Sequence, residues 1–290
     1  MSSSDKGPGD RHVLYSESDN EIWKYSYPLR RNTVSPWMVP AISILAPLGL
    51  IFAALLLGQI SILEAHFALV SALGCVMTTG MTTNFIKVNV GRFRPHFVAR
   101  CWPDGGIPVF EPDGRPRCND AAINPLEGMK SFPSGHTAWS TSGLAYATFF
   151  LLGKTGCFVG NSNGGGPFHL VLSLLPLGGS IWIGCSRMQD YWHHWEDVVV
   201  GFSLGIFMAW LFYRTAYAGV MSPNAGNLIV GLNPSNNMLA TAIGAGGGGG
   251  GPSLGFTSIS SNGSGNSGRG LLPRRSSTGN GFNNDPLNQV

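Results

Sequence analysis

Charge is what this chain has least of. Only 11% of its 290 residues are Asp, Glu, Lys or Arg, against 43% hydrophobic ones, and a soluble domain carries roughly 25% charged residues. That shortage argues against a soluble protein and for a membrane one. The formal charge is only +3, and no basic stretch interleaved with aromatics occurs, so nucleic acid is not an expected partner. The five cysteines form no CxxC and no Cys/His spacing, which excludes a zinc site. No group of carboxylates is spaced to hold magnesium. No internal repeat is present. A cleavable signal peptide is also missing from residues 1–36, which are polar and mixed in charge; the first apolar run is therefore expected to serve as an uncleaved insertion signal.

What the chain does have is long apolar runs. The mean hydropathy of +0.12 averages a greasy centre with two polar ends. Five runs suit membrane-spanning helices, at 37–60, 65–86, 136–152, 168–185 and 195–213, the third being short for about 30 Å of hydrocarbon. The second is rich in small and hydroxyl residues, including Ser71, Gly74, Thr79, Gly80 and Thr83, which suits close helix packing. Trp23, Tyr25 and Tyr27 with Lys24, Arg30 and Arg31 read as an interfacial anchor before the first run. The expected fold is an all-α integral membrane protein, a bundle of about five transmembrane helices. Its parts are a polar N-terminal segment at 1–36, partly disordered; a transmembrane domain at 37–217; and a Gly, Ser and Asn-rich disordered tail at 218–290.

With five spans, four helix ends share one face: the end of the second span, the start of the third, the end of the fourth and the start of the fifth. Nearly all the unusual polar residues fall there, in three clusters. Lys87 and Arg94 stand seven residues apart, with Pro95 next. That is about two helical turns, so they share a side if the helix continues; alone they would pass as interfacial cations, and Arg92 competes with Arg94. Ser131 to Thr137 contains Pro133-Ser134-Gly135-His136 at the entrance to the third span. A helix start with free backbone N–H groups favours an anion, Ser134 adds a hydroxyl, and His136 has the chemistry to protonate a leaving alkoxide. Taken alone it would be a helix cap beside an incidental histidine. The third cluster joins the last two spans. Arg187 offers a planar fork suited to phosphate, and His193 and Asp197 lie four apart, on one face of a helix beginning near Trp195. A carboxylate so placed holds one imidazole nitrogen as N–H and leaves the other free to attack. Taken together, the clusters equip a site for phosphoryl transfer without a metal, with cations neutralising the non-bridging oxygens.

Lys-x6-Arg-Pro, Pro-Ser-Gly-His and Ser-Arg-x5-His-x3-Asp, in this order, resemble the three-part signature of the type 2 phosphatidic acid phosphatase superfamily. The phrases Tyr27-Pro28, Asn32-Thr33-Val34, Trp102-Pro103-Asp104-Gly105 and Lys130 to His136 are similar to plant-type members of its lipid phosphate phosphatase branch. The resemblance covers roughly residues 27–217. It implies that His193 is the nucleophile forming a phosphohistidine, Asp197 its orienting partner and His136 the general acid. Lys87, Arg94, Ser134, Gly135 and Arg187 would hold the phosphate. The resemblance thereby selects His193 over His194 and Arg94 over Arg92. It also implies a metal-independent enzyme, with no cofactor. Members of this branch usually have six spans, and here a polar segment stands where the first would be.

The expected activity is hydrolysis of phosphatidic acid to diacylglycerol and phosphate, and of related lipid phosphates presented from the bilayer. Within the same superfamily the alternative is an isoprenyl diphosphate or a soluble phosphoester; a vanadate haloperoxidase is disfavoured by the five spans. From another class, an anion transporter would place polar groups at mid-membrane and repeat its halves, neither of which the sequence does. The family's usual orientation would put the site on the lumenal or extracellular face of the endoplasmic reticulum or plasma membrane, although Lys/Arg counts lean the other way. In an oxidising compartment, Cys101 and Cys118 of the long polar loop would form a disulfide.

Overall fold

In the computed structural model the described residues are 22–106, 108–111, 115–159, 165–229. They form seven α-helices and one short 3-10 turn, Ile22–Tyr25. The long helices are α1 (Met38–Leu56), α2 (Ile62–Val90), α5 (Gly135–Thr155), α6 (Pro167–Gln189) and α7 (Trp195–Ala216); α3 (Phe97–Cys101) and α4 (Pro125–Gly128) are short pieces of the loop between α2 and α5. Three of the boundaries have a clear local cause. Ser61 caps α2 by accepting from the Glu64 N–H at 3.2 Å, so the turn before α2 ends at Ser61 and Glu64 is already helical. At its other end α2 stops where Gly91 takes φ 64°, a left-handed conformation. Pro167 opens α6 in the first turn, where its missing N–H has no helical partner to lose.

Four of the long helices, α1, α2, α6 and α7, are long and apolar enough to cross a membrane. The sequence reading also expected α5 to span, and α5 is the helix that differs. It lies at the centre, packed against α1, α2, α6 and α7, and nearly every side chain from Thr137 to Gly153 is buried. A helix enclosed by other helices meets no lipid, so it can carry Ser140, Thr141, Ser142, Gly143 and Thr148, which lower its hydropathy. Large apolar side chains such as Phe52, Met81, Phe85, Leu175, Trp182 and Phe207 point outward from the surrounding helices, as a bilayer requires. The protein is a multi-pass, all-α membrane protein.

Between membrane helices there is no water to expel, so close backbone approach through small residues sets the packing. A Cβ at Gly143 would overlap the Ser43 carbonyl of α1. On α7, a Cβ at Gly201 would stand 2.7 Å from the Ser134 carbonyl oxygen, and one at Gly205 2.8 Å from that of Ala138. These glycines let α1 and α7 rest directly on the α5 backbone.

The loop from α2 to α5 has a small core of its own. Phe97, Cys101 and Trp102 are buried with Tyr25, Phe93 and Phe110 around them, and Cys101 is bonded to Cys118. Of the three aromatics read as an interfacial anchor, only Trp23 is mostly exposed, at 62%. Tyr25 packs edge-on against Phe93 and His194, and Tyr27 stacks on Tyr191, so this segment lies across the loops. Past α7, residues 218–229 fold back: the Ala218 N–H donates to the Asn227 carbonyl at 3.0 Å, and the Gly226 carbonyl accepts from Lys154 at 2.8 Å. The disorder expected for residues 1–20 and for the tail beyond 229 lies outside the described residues.

Candidate active site

The four helix ends meet on one face, and their polar residues meet with them. Lys87, in the last turn of α2, donates to the Lys130 carbonyl at 2.9 Å. A Cβ at Gly135 would come within 3.3 Å of the Lys87 Cε, so glycine is what lets the lysine approach the start of α5. Ser134 caps α5: its Oγ accepts from the Thr137 hydroxyl at 2.8 Å and from the Thr137 N–H at 3.4 Å. With both lone pairs engaged, its own proton remains to donate to an anion. The Ser134 N–H donates to the Asp197 carbonyl at 2.9 Å, which fastens the start of α5 to the start of α7.

Asp197 is wholly buried and heavily engaged. Its carboxylate accepts from the His194 N–H at 3.0 Å, the Ser131 hydroxyl at 2.6 Å and Arg92 Nη1 at 2.8 Å. The Nδ1 atoms of His193 and His194 stand 3.7 and 3.5 Å from Asp197 Oδ2, both longer than a hydrogen bond. Distance therefore does not choose between the two imidazoles, but their surroundings differ. His194 packs against Tyr25 and remains partly exposed. His193 is 3% exposed, and burial pushes its pKa well below the ordinary histidine value; Asp197 opposes this, while the charges of Lys87 and Arg94 reinforce it. A neutral imidazole facing two cations has the lone pair a nucleophile needs.

His136 is turned toward the same cations, with Arg187, Arg94 and Lys87 all acting on it, and its Nε2 is buried without a partner. Arg94 bonds Glu127 through Nη2 at 2.6 Å and lies over the Trp192 ring, 4.8 Å from its centroid. Burial lowers Arg94 to about 10, which leaves it charged at neutral pH. Arg187 is buried within a set of four hydrogen bonds, to Ser186, Asp190 and Asn32.

The structure thus brings together Lys87, Arg94, Ser134, Gly135, His136, Arg187, His193 and Asp197. Sequence reasoning assigned no part to Ser131, to Glu127 or to Asp190, Asn32 and Thr33. Asp190 carried a local signal, since it stands three residues after Arg187 and shares its helical face, and Asn32-Thr33 carried only the family resemblance, which gives no role. Arg92, the competitor of Arg94, has a different place: it pairs with Asp197 and, at 3.4 Å, with Glu196. Among the described residues no three His, Cys, Asp or Glu side chains gather as a metal-holding group.

Behind the cluster sits His96, wholly buried, its Nδ1 accepting from Arg100 Nε at 3.2 Å and its ring edge-on to Trp192. Burial, then the charges of Arg100 and Arg94, push it down from 6.5 to about 3. The unfolded chain protonates this histidine near 6.5 while the folded one keeps it neutral. Its contribution to stability is therefore present above about pH 6.5 and lost progressively as pH falls toward 3. A His96→Gln variant, which does not titrate, should show a shallower fall in melting temperature between pH 6.5 and pH 4; equal slopes in the two proteins would refute this.

An apolar groove of about 220 Å³ lies immediately below the site, lined by Thr137 of α5, Ile181, Gly184 and Cys185 of α6 and Val198 and Phe202 of α7. Gly184 precedes Arg187 by three residues and Val198 follows Asp197, so the groove runs from beneath the buried polar cluster along the side of the bundle. Cations, a hydroxyl, a helix N-terminus and two imidazoles beside such a groove suit a phosphate carried on an apolar body.

Over 191 residues the chain is 39% identical to lipid phosphate phosphatase 1 of Arabidopsis thaliana, covering 66% of this chain and 57% of that one. It is 39% identical over 199 residues to lipid phosphate phosphatase 2 of the same plant, covering 68% and 67%. It is 36% identical over 151 residues to diacylglycerol pyrophosphate phosphatase 1 of Saccharomyces cerevisiae, covering half of each. The chain spans somewhat less than three fifths of the length of the first of these. No solved structure is significantly similar to it. The family described as the PAP2 superfamily matches residues 68–220, a stretch that begins within α2 and ends just past α7 and so holds all eight of the residues that the helix ends bring together. The chain belongs to the PAP2 superfamily.

Proposed function

We propose that the chain is a metal-independent lipid phosphate phosphatase that hydrolyses phosphatidic acid to diacylglycerol and phosphate, and acts on related lipid phosphates. The observation that carries this reading is the convergence of Lys87, Arg94 and Arg187 on two histidines at one membrane face. His193 attacks phosphorus through the nitrogen turned away from Asp197, and the bond to the alcohol oxygen breaks. Once the bound phosphate offsets the charges of Lys87, Arg94 and Arg187, His136 takes up a proton and passes it to that oxygen, so diacylglycerol leaves neutral. Water then attacks the phosphohistidine, His136 takes back a proton, the P–N bond breaks and phosphate departs. Lys87, Arg94, Arg187, the Ser134 hydroxyl and the α5 N-terminus hold the non-bridging oxygens throughout, where charge gathers in the transition state. Three fixed cations stand where a divalent ion would otherwise be needed.

The names of the similar proteins favour a lipid phosphate or a lipid pyrophosphate, and the groove between α6 and α7 favours a substrate with an apolar tail. The Cys101–Cys118 bond supports a lumenal or extracellular site, since such bonds persist in oxidising compartments; the endoplasmic reticulum or the plasma membrane would then be the home of the enzyme. The test is phosphate release from phosphatidic acid in detergent micelles with excess chelator. Release should continue undiminished, and should exceed that from a soluble phosphomonoester by at least about tenfold, the effect of roughly 1.4 kcal/mol of tail binding. Loss of activity on chelation would overturn the metal-independent mechanism, and a preference for the soluble ester would overturn the lipid assignment.

A further inference from the structure

We propose that Asn32 and Thr33, in the segment ahead of α1, are positioning residues of the phosphate site, acting through Arg187; the inference rests on the reading above that Arg187 binds phosphate. A guanidinium has five N–H donors in a fixed plane. Arg187 spends four of them inside the protein. Nε and Nη2 bond the Ser186 hydroxyl at 3.1 and 2.9 Å, Nη2 bonds Asp190 Oδ2 at 2.9 Å, and Nη1 bonds Asn32 Oδ1 at 2.7 Å. One proton on Nη1 remains for an anion, and Asn32 determines which one it is.

Thr33 secures the other side of the same arginine. Its N–H and its hydroxyl donate to the two oxygens of Asp190 at 2.7 and 2.8 Å, so the carboxylate that pairs with Arg187 is clamped at both oxygens. The segment is anchored further by the Arg30 carbonyl, which accepts from Trp192 Nε1 at 3.1 Å. Between Arg30 and Thr33 the chain thus touches Arg187, Asp190 and Trp192, residues more than 150 positions away in sequence. A strap that served only to anchor α1 would have no need to bond the guanidinium itself.

The experiment uses the full-length protein in detergent, with wild type, Asn32→Ala, Thr33→Val, Thr33→Ser and Arg187→Lys, and Asn32→Ala combined with Arg187→Lys. Three quantities are read: kcat/KM on phosphatidic acid, the affinity for inorganic phosphate by calorimetry, and melting temperature. Asn32→Ala should lower kcat/KM by about 10–100-fold, the scale on which loss of a metal ligand's outer partner acts, and should weaken phosphate binding. Thr33→Val, which keeps the shape and loses only the hydroxyl bond, should lower it less, and Thr33→Ser, which keeps both bonds, should restore most of the loss. In the Arg187→Lys background Asn32→Ala should change kcat/KM by less than about twofold, because the fork it aims is gone.

A folded Asn32→Ala with wild-type kcat/KM and phosphate affinity overturns the proposal. So does an equal fold-loss from Asn32→Ala in both backgrounds, which would mark a role in folding alone. If Asn32→Ala does not fold, Thr33→Val indistinguishable from Thr33→Ser overturns it. A wild type that binds phosphate yet hydrolyses no lipid phosphate sinks the substrate reading, and the strap then stands or falls on the phosphate affinities of the same variants. A wild type that does neither overturns both.

Discussion

His193→Ala should reduce phosphate release from phosphatidic acid by at least about 10⁴-fold, the scale on which removing an enzyme's nucleophile acts, and should leave the fold intact. The two halves of this expectation have separate grounds. The kinetic half follows from its position, a buried neutral imidazole facing Lys87 and Arg94 beside Asp197. The structural half follows from what the ring does not do. Its Nδ1 has no hydrogen-bond partner, and Asp197 keeps three donors without it, from Arg92, Ser131 and the His194 N–H. Truncation therefore leaves no buried group newly unsatisfied. Rapid acid quench with phosphatidic acid labelled in its phosphate should trap label on wild type and none on the variant. Label on His193→Ala, or wild-type turnover, would remove His193 from the mechanism and move attention to His194.

Asp197→Asn inverts this pattern. Its kinetic loss should be smaller than that of His193→Ala, because it removes a carboxylate charge 3.7 Å from the ring and keeps the ring itself. Its cost in stability should be larger, about 1–3 kcal/mol, since an amide cannot accept from Arg92, Ser131 and the His194 N–H in the same geometry. Chemical denaturation and turnover measured on the same preparation read both at once. A variant as stable as wild type would mean that the Arg92–Asp197 pair contributes nothing to the fold.

Which parts of this site were legible beforehand follows from the range of the interactions. Pro133-Ser134-Gly135-His136 and the His193–Asp197 spacing are local patterns, and counting apolar runs put their helix ends on one face; the contacts between Ser134 and Asp197 agree with that. Arg92 was weighed against Arg94 as a phosphate ligand, and no spacing rule could show that it bonds Asp197, 105 positions away. Asn32 and Thr33 sit in a polar segment whose aromatics suggested an interfacial anchor, because nothing in a sequence reports a bond to a residue 155 or more positions on. The third run was noticed only as short for a span, and its hydroxyl residues passed without comment. What permits them, enclosure of α5 by four neighbours, is a tertiary fact. Small residues were read as packing signals in α2, while the Gly201 and Gly205 pair on α7, at the spacing of a small-residue helix crossing, passed unremarked.

That pair carries the second large effect. Gly201→Val should cost about 1–3 kcal/mol or more of stability, as overpacking does, and should also depress turnover in the protein that still folds. The new side chain would press on the Ser134 carbonyl and on Thr137, driving the start of α7 away from the start of α5. Those two starts carry Asp197 and, just before it, His193 on one side, and Ser134 and His136 on the other; they are held by the 2.9 Å bond from the Ser134 N–H to the Asp197 carbonyl. Separating nucleophile from acid by even about 1 Å can cost on the order of 100-fold. Gly143→Val is the matched control. It collides with the Ser43 backbone of α1, two helical turns along α5 from Gly135, and separates no pair of reacting groups. It should lower melting temperature comparably while turnover per folded molecule stays within about threefold of wild type. Equal turnover losses in the two variants would mean that the α5–α7 crossing does not set the distance between His193 and His136; a selective loss in Gly201→Val would mean that the glycine contact in the bundle is what holds the two histidines in register.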